Sequence, residues 1–343
     1  MLLLVEGFEG FGTSTGVAPQ PAGIVGRNYS VAFEAQMDIE VGRLGGYCLE
    51  FVVAGCQLKA VFTTTHDTMI VGFAIKYPGT LSDGYIFKLY SGATLGISLR
   101  LTPAGQIQVF RSAALLGTSP VVIAPGPWYY IEFKVKCNNS IGTYELRVGG
   151  VNVLSDSGID TQAGEDAYHD AVRLDYASGA AGGMFFDDWY VCDGSGSVNN
   201  DFLGNCRVDA IFPDGDDVAG WDIASGAGDH YLDVDEVVAD DNTSYVEYAT
   251  TGHKDLYDYA AMPADRGAIR GLEIKTLCRE TDAEDFSLIT PIKSGATETD
   301  DSAQSIGTTD YVAKKRVSEL DPNTSTAWTK TTVDAAKFGV KVG

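Results

Sequence analysis

Apolar and polar residues alternate with a period of two along much of the chain, the signature of half-buried strands. The clearest case is 128–137, WYYIEFKVKC. Tyr129, Ile131, Phe133, Val135 and Cys137 share one face, and Glu132, Lys134 and Lys136 share the other. That parity predicts one face in a core and one in water, as in an antiparallel sandwich. Asn138-Asn139-Ser140 predicts a turn, and 143–148 a returning strand with Tyr144, Leu146 and Val148 inward. Gly149-Gly150 supports a tight turn into 151–154. Further strands are predicted at 29–36, 47–53, 57–63, 69–76, 84–90, 95–101, 106–111 and 171–176, with Gly or Pro in nearly every gap. Residues 2–11 read as a first strand, 12–27 as a loop, and 155–181 as mostly loop.

The stretch 183–203, GMFFDDWYVCDGSGSVNNDFL, organises the chain. Its first half is a closing strand with apolar residues on both faces, which predicts cover on both sides, the second from a neighbouring domain. Its second half is a polar loop. New strands are predicted at 206–212, 244–249, 255–259, 268–278 and 286–293, with an acidic loop at Asp214, Asp216 and Asp217. A short helical turn at 332–337, capped by Thr332, precedes a last strand FGVKV. The expected fold is all-β: two tandem antiparallel β-sandwich (jelly-roll) domains, 1–195 and 206–343, joined by a linker at 196–205. The length of 343 residues fits two domains.

Composition narrows the function classes. The net charge is −23, from 47 acidic and 24 basic residues. Such a surface repels phosphate backbones and disfavours nucleic-acid binding. No run is long enough for a membrane span. The N-terminal MLLLVEGFEG lacks a basic region and a cleavage site, so it reads as a strand and places synthesis in a cytoplasm. Six cysteines without CxxC spacing form neither a disulfide scaffold nor a zinc site. Parity points Cys56, Cys137, Cys206 and Cys278 inward. Cys48 falls outward with Glu50, and Cys192 lies beside the linker; these two are candidates for intersubunit disulfides under oxidation.

Catalytic patterns are sparse. Glycoside cleavage uses two carboxylates across a bond, and the nearest segment, Leu232-Asp233-Val234-Asp235-Glu236, puts Asp233 and Asp235 on one face without the leading Glu. His66, His169, His230 and His253 are scattered and have no nucleophile signature beside them. The acids at 214–217 and 240–241 would suit Ca²⁺ but match no ligand pattern, so no cofactor is expected. Tyr168, Trp221 and Tyr231 are candidate glycan contacts among loop aromatics.

Residues 127–153 and 185–191 resemble the concanavalin-like, laminin-G-like jelly roll. The carriers are Trp128-Tyr129-Tyr130-Ile131, the turn at Asn138–Gly142, Leu146-Arg147-Val148-Gly149-Gly150-Val151, and Asp187-Asp188-Trp189-Tyr190-Val191. The resemblance implies that the first and last strands of this domain pair, Leu3–Phe8 with Phe185–Val191. The whole chain is similar to two-domain structural proteins of tailed bacteriophages, through DDWYVCDGSGSVNNDFLGNCRVDAIFPDGD, Asp240–Val246 and the ending from Ala327 to Val342. That resemblance implies a non-enzymatic accessory protein of the virion, in capsid decoration, neck or tail. Its partners would be other virion proteins, in a homo-oligomeric or symmetric array. The alternative is a carbohydrate-binding module that aids adsorption to host-surface glycan.

Overall fold

In a computed structural model of the chain, residues 1–11, 27, 29–32, 36–164, 166–176, 182–226, 228–264, 266–281 and 285–343 are described. The loop expected at 12–27 lies outside them except for Arg27. The chain forms two compact units, 1–209 and 210–343.

The first unit has strands β1 (Leu2–Glu6), β2 (Ser30–Ala32), β3 (Met37–Val41), β4 (Tyr47–Phe51), β5 (Gln57–His66), β6 (Thr68–Lys76), β7 (Gly84–Ser91), β8 (Thr94–Leu101), β9 (Gln106–Arg111), β10 (Ala114–Val121), β11 (Trp128–Lys136), β12 (Gly142–Val148), β13 (Val151–Ile159), β14 (His169–Asp175) and β15 (Met184–Asp193). One sheet runs β13-β12-β11-β6-β15-β4-β3, with β1 also on β15; the other runs β10-β9-β8-β7-β14-β5-β2. This is the antiparallel sandwich the alternation predicts. Its core holds Phe73, Phe87, Phe133, Phe186, Leu99 and Trp189, all fully buried. As the jelly-roll resemblance implies, the first and last strands pair, Leu4 opposite Val191 and Glu6 opposite Trp189.

The first sheet's outer face differs from expectation at Glu132. Parity puts Glu132 on the solvent side, yet it is 0% exposed. The reason is a strap formed by residues 201–209, which lies on this face. Glu132, Gly72 and Tyr190 sit directly opposite one another on β11, β6 and β15. The Tyr190 ring lies across Gly72, where a Cβ would come 2.1 Å from the ring. The Tyr190 hydroxyl thereby donates to Glu132 Oε1 at 2.6 Å. Leu203 N donates to the Tyr190 hydroxyl and Gly204 N to Glu132 Oε1, at 3.2 and 2.8 Å. Phe202 stacks under Arg147, 4.0 Å from guanidinium to ring centre. Asp201 pairs with Lys134 at 3.0 Å. The second cover of β15 is therefore a segment of the same unit, where a neighbouring domain was expected. Residues 206–212, expected as a strand, belong to no strand, because Val208 N is committed to Asp188 Oδ1 at 2.7 Å.

Cys48 and Cys192, expected near the surface, are both 0% exposed. Cys48 donates to Val41 O, and burial pushes its thiol far above the usual range. Both thiols are thus turned away from the surface of this chain, and none of the six cysteines is in a disulfide. Cys56 and Cys137 are buried as expected, whereas Cys206 and Cys278 are only half-buried.

In the second unit the main sheet contains 213–219, 254–259, 337–342, 287–289 and 304–305, in that order. The acids at 214–217 are thus in a strand, not a loop. Ile292, Trp328, Val333, Ala336 and Phe338 form its core. The short helix is Lys330–Ala335, capped by Thr329 with Thr332 bonding back, three residues earlier than expected.

His169, at the start of β14, is 1% exposed with no partner on either ring nitrogen. It borders a cavity of about 30 Å³ that Tyr168 and Cys137 also line. Burial pushes its pKa down to about 4, against the opposing pull of Asp170.

Two outcomes follow from these contacts. Gly72→Ala drives a methyl into the Tyr190 ring and is expected to cost about 1–3 kcal/mol by overpacking; an unchanged urea midpoint would refute the ring-over-glycine packing. For His169 the folded pKa lies below the ordinary 6.5, so its full contribution is present above pH 6.5. That contribution falls as pH drops toward 4, where the unfolded chain alone takes up the proton. Wild type should lose roughly 3 kcal/mol more than His169→Phe across this window, measured by urea unfolding at each pH.

Candidate functional site

The second sheet's outer face carries the densest set of partly exposed functional side chains in the first unit. Strand pairing gathers them from distant parts of the sequence. One row runs Lys59 on β5, Arg173 on β14, Lys88 on β7, Ser98 on β8 and Phe110 on β9, each opposite the next. A neighbouring row runs Tyr85, Arg100, Gln108 and Thr118. Tyr90 stands opposite Ala171 one step from the first row. Inward neighbours Leu58, Val172, Leu89, Leu99 and Val109 are fully buried, so alternation fixes which side chains point out.

Cations and rings interleave on this face. Lys59 Nζ lies 4.8 Å and the Arg173 guanidinium 5.0 Å from the Tyr90 ring centre. Lys88 Nζ lies 4.2 Å and Arg100 5.9 Å from the Tyr85 ring, and Arg100 is also 5.9 Å from Phe110. Such contacts hold long side chains upright at low entropic cost. Asp175, 5% exposed, accepts from Lys88 at 3.0 Å and from both Arg173 Nε and Nη2 at 2.8 and 2.9 Å. Arg100 is paired with Asp83. Desolvation lowers the Lys88 pKa despite Asp175. Burial, ahead of the opposing Arg173 charge, raises that of Tyr90.

The expected contact residues lie elsewhere. Tyr168 lines the cavity beside His169 in the first unit. Trp221 and Tyr231 belong to the second unit, where two carboxylates organise them. Asp255, 0% exposed, accepts from Gly220 N, Trp221 N, His230 Nδ1 and the Tyr257 hydroxyl, at 2.6–3.0 Å. Asp216 accepts from His230 N and Tyr231 N, both at 2.8 Å. Asp255 and Asp216 thus fix backbone turns. Asp233 is buried in a 3-10 turn, 230–233, so Asp233 and Asp235 do not share a strand face as a glycosidase pair would. Among the described residues, the acids whose oxygens converge are Asp38, Glu40 and Glu50, within 4.8 Å of one another. Burial, then Glu40 and Asp38, push the Glu50 carboxyl up to about 7.

A second cluster sits under the strap. Asp188, at φ 51°, pairs with Arg43 at 2.6 Å, and Asp187 accepts from Arg43 N at 2.7 Å. Arg43 also donates to Asn205 and to Cys206 O. Burial, reinforced by Asp188, pushes Asp187 up to about 7, and burial raises Glu9 likewise to about 7. Every donor here is engaged by β15 or by the strap, so this cluster is structural.

No family model matches the chain, and no curated protein matches it. Solved structures match the fold. An endo-β-1,4-glucuronan lyase from the fungus Trichoderma reesei is 13% identical at TM-score 0.39, over 56% of this chain and 96% of that one. The alginate lyase Aly36B is 12% identical at TM-score 0.35, over 55% and 95%. The alginate lyase vAL-1 from Chlorella virus is 11% identical at TM-score 0.32, over 48% and 88%. These likenesses concern the β-sandwich. The expectation of a non-enzymatic chain is corrected to this extent: the structures that match in fold include polysaccharide lyases, so the fold is not one confined to non-enzymes. A phage origin finds no counterpart among them, although the jelly-roll fold is compatible with one. The chain is similar to jelly-roll-like carbohydrate-active proteins, at the level of the fold.

Proposed function

We propose that the first unit binds a carbohydrate chain along the outer face of its second sheet, and that this binding aids adsorption of a tailed phage to host-surface glycan. One observation carries the carbohydrate reading: Tyr85, Tyr90 and Phe110 are partly exposed on one sheet face, interleaved with Lys59, Lys88, Arg100, Arg173 and Gln108. Ring edges offer apolar surface to sugar C–H groups, and the surrounding donors and acceptors suit hydroxyls. The alternation of the two along adjacent strands is an extended surface, which suits a polymer more than a compact ligand. The phage setting rests on the sequence resemblance of the second half, with other virion proteins as neighbours on the particle.

A glycan array with the full chain, followed by titration of the best polymer, tests this reading. Tyr85→Ala with Tyr90→Ala is expected to weaken binding about tenfold, equivalent to about 1.4 kcal/mol. Unchanged affinity in that double variant would move the site off this face. Trp221→Ala is expected to leave affinity unchanged. The same titration should be followed for product release, because lyases share this sandwich.

A further inference from the structure

We propose that the carbohydrate is acidic, with carboxylates of the polymer seated on Lys59, Arg173 and Lys88; this rests on the glycan reading above. These three cations are direct cross-strand neighbours on β5, β14 and β7. Adjacent strands are only about 4.8 Å apart, and like charges directly opposite destabilise a sheet. A protein with 47 acidic residues has ample means to neutralise such a row, yet among the described residues only Asp175 forms ion pairs with it.

Asp175 compensates one charge of three. It takes Arg173 through Nε and Nη2 and Lys88 through one proton. The remaining donors are both Arg173 Nη1 protons and one on Nη2, two Lys88 protons and the whole Lys59 ammonium. Among the described residues Lys59 has no ion pair; its charge rests over the Tyr90 ring. The row keeps two positive charges on a partly buried platform, where the local dielectric strengthens attraction to an incoming anion. The net charge of −23 adds selection: a polyanion is repelled from the rest of the surface and drawn to this face. Lys59 is the selecting residue, because among the described residues it is the member of the row that makes no ion pair.

The test titrates the full chain with polygalacturonate and with the same polymer after carboxyl reduction. The acid form is expected to bind at least about tenfold tighter, with affinity falling as salt rises. Lys59→Gln should bring acid-form binding down toward that of the reduced polymer, and Lys59→Arg should restore it. Equal affinity for both forms would overturn the charge selection and leave the glycan reading standing. Binding of neither form on any array glycan would remove both. Polyglutamate or single-stranded DNA bound as tightly as polygalacturonate would overturn the proposal, because charge alone would then suffice without a sugar.

Discussion

Strand β15 must serve two partners along one edge, and much of the first unit depends on how it does so. Its start pairs with β4, through Met184, Phe185 and Phe186. Its end pairs with β1, from Trp189 to Cys192. On the opposite edge the register with β6 shifts between Asp187 and Tyr190. Asp188 takes the left-handed backbone conformation at that shift, which after glycine the short polar side chains of Asn and Asp adopt most readily. Two carboxylates are consequently buried where the strand changes partner, and each needs donors. Arg43 and the backbone of Val208 supply them. The loop before β4 and the strap after β15 are thus both recruited by one irregularity in one strand.

This recruitment decides which face of the sandwich is open for function. The strap occupies the first sheet's outer face, where its amides are consumed by Glu132, Tyr190 and Asp188. The second sheet's outer face instead keeps long cationic and aromatic side chains in partial contact with solvent. Asp187 and Asp188, buried beneath the strap, and the partly exposed cations therefore lie on different sheets. Burial pushes Glu9 and Asp187 up to about 7.

The strands and the sandwich were legible in the sequence because alternation is a local signal. Trp128–Lys136 is a strand with Ile131, Phe133 and Val135 fully buried, as its parity requires. Parity also put Glu132 and Cys48 outward, and both are buried. What covers Glu132 is a strap some 70 residues later in the chain, and alternation carries no information about it. The cation row was unreadable for a related reason. Lys59, Lys88 and Arg173 come from three separate strands, and only the register of β14 between β5 and β7 makes them neighbours. A partial signal was present: alternation puts Lys88 with Tyr90 in GYIFKLY and Arg173 with Asp175 in AVRLDY, while Tyr85 joins that face only through the register shift between Tyr85 and Phe87. The loop aromatics Tyr168, Trp221 and Tyr231 drew attention because loops often carry sites, yet here the rings that stand together are on strands.

Like-charge repulsion across β5, β14 and β7 is a standing cost in the free protein, and the surrounding packing holds it in place. The fully buried Leu58, Val172, Leu174 and Leu89 on the inner side fix the backbone, so the cations cannot separate by slipping register. Rings on the outer side restrict their swing. A ligand that supplies negative charge therefore meets donors already ordered, and loses little entropy in engaging them. A local rule of sheet design is broken at one row of one face, while alternation, core packing and pairing agree elsewhere on that sheet. Such a violation, confined and rigidly supported, is what a binding surface requires of a fold.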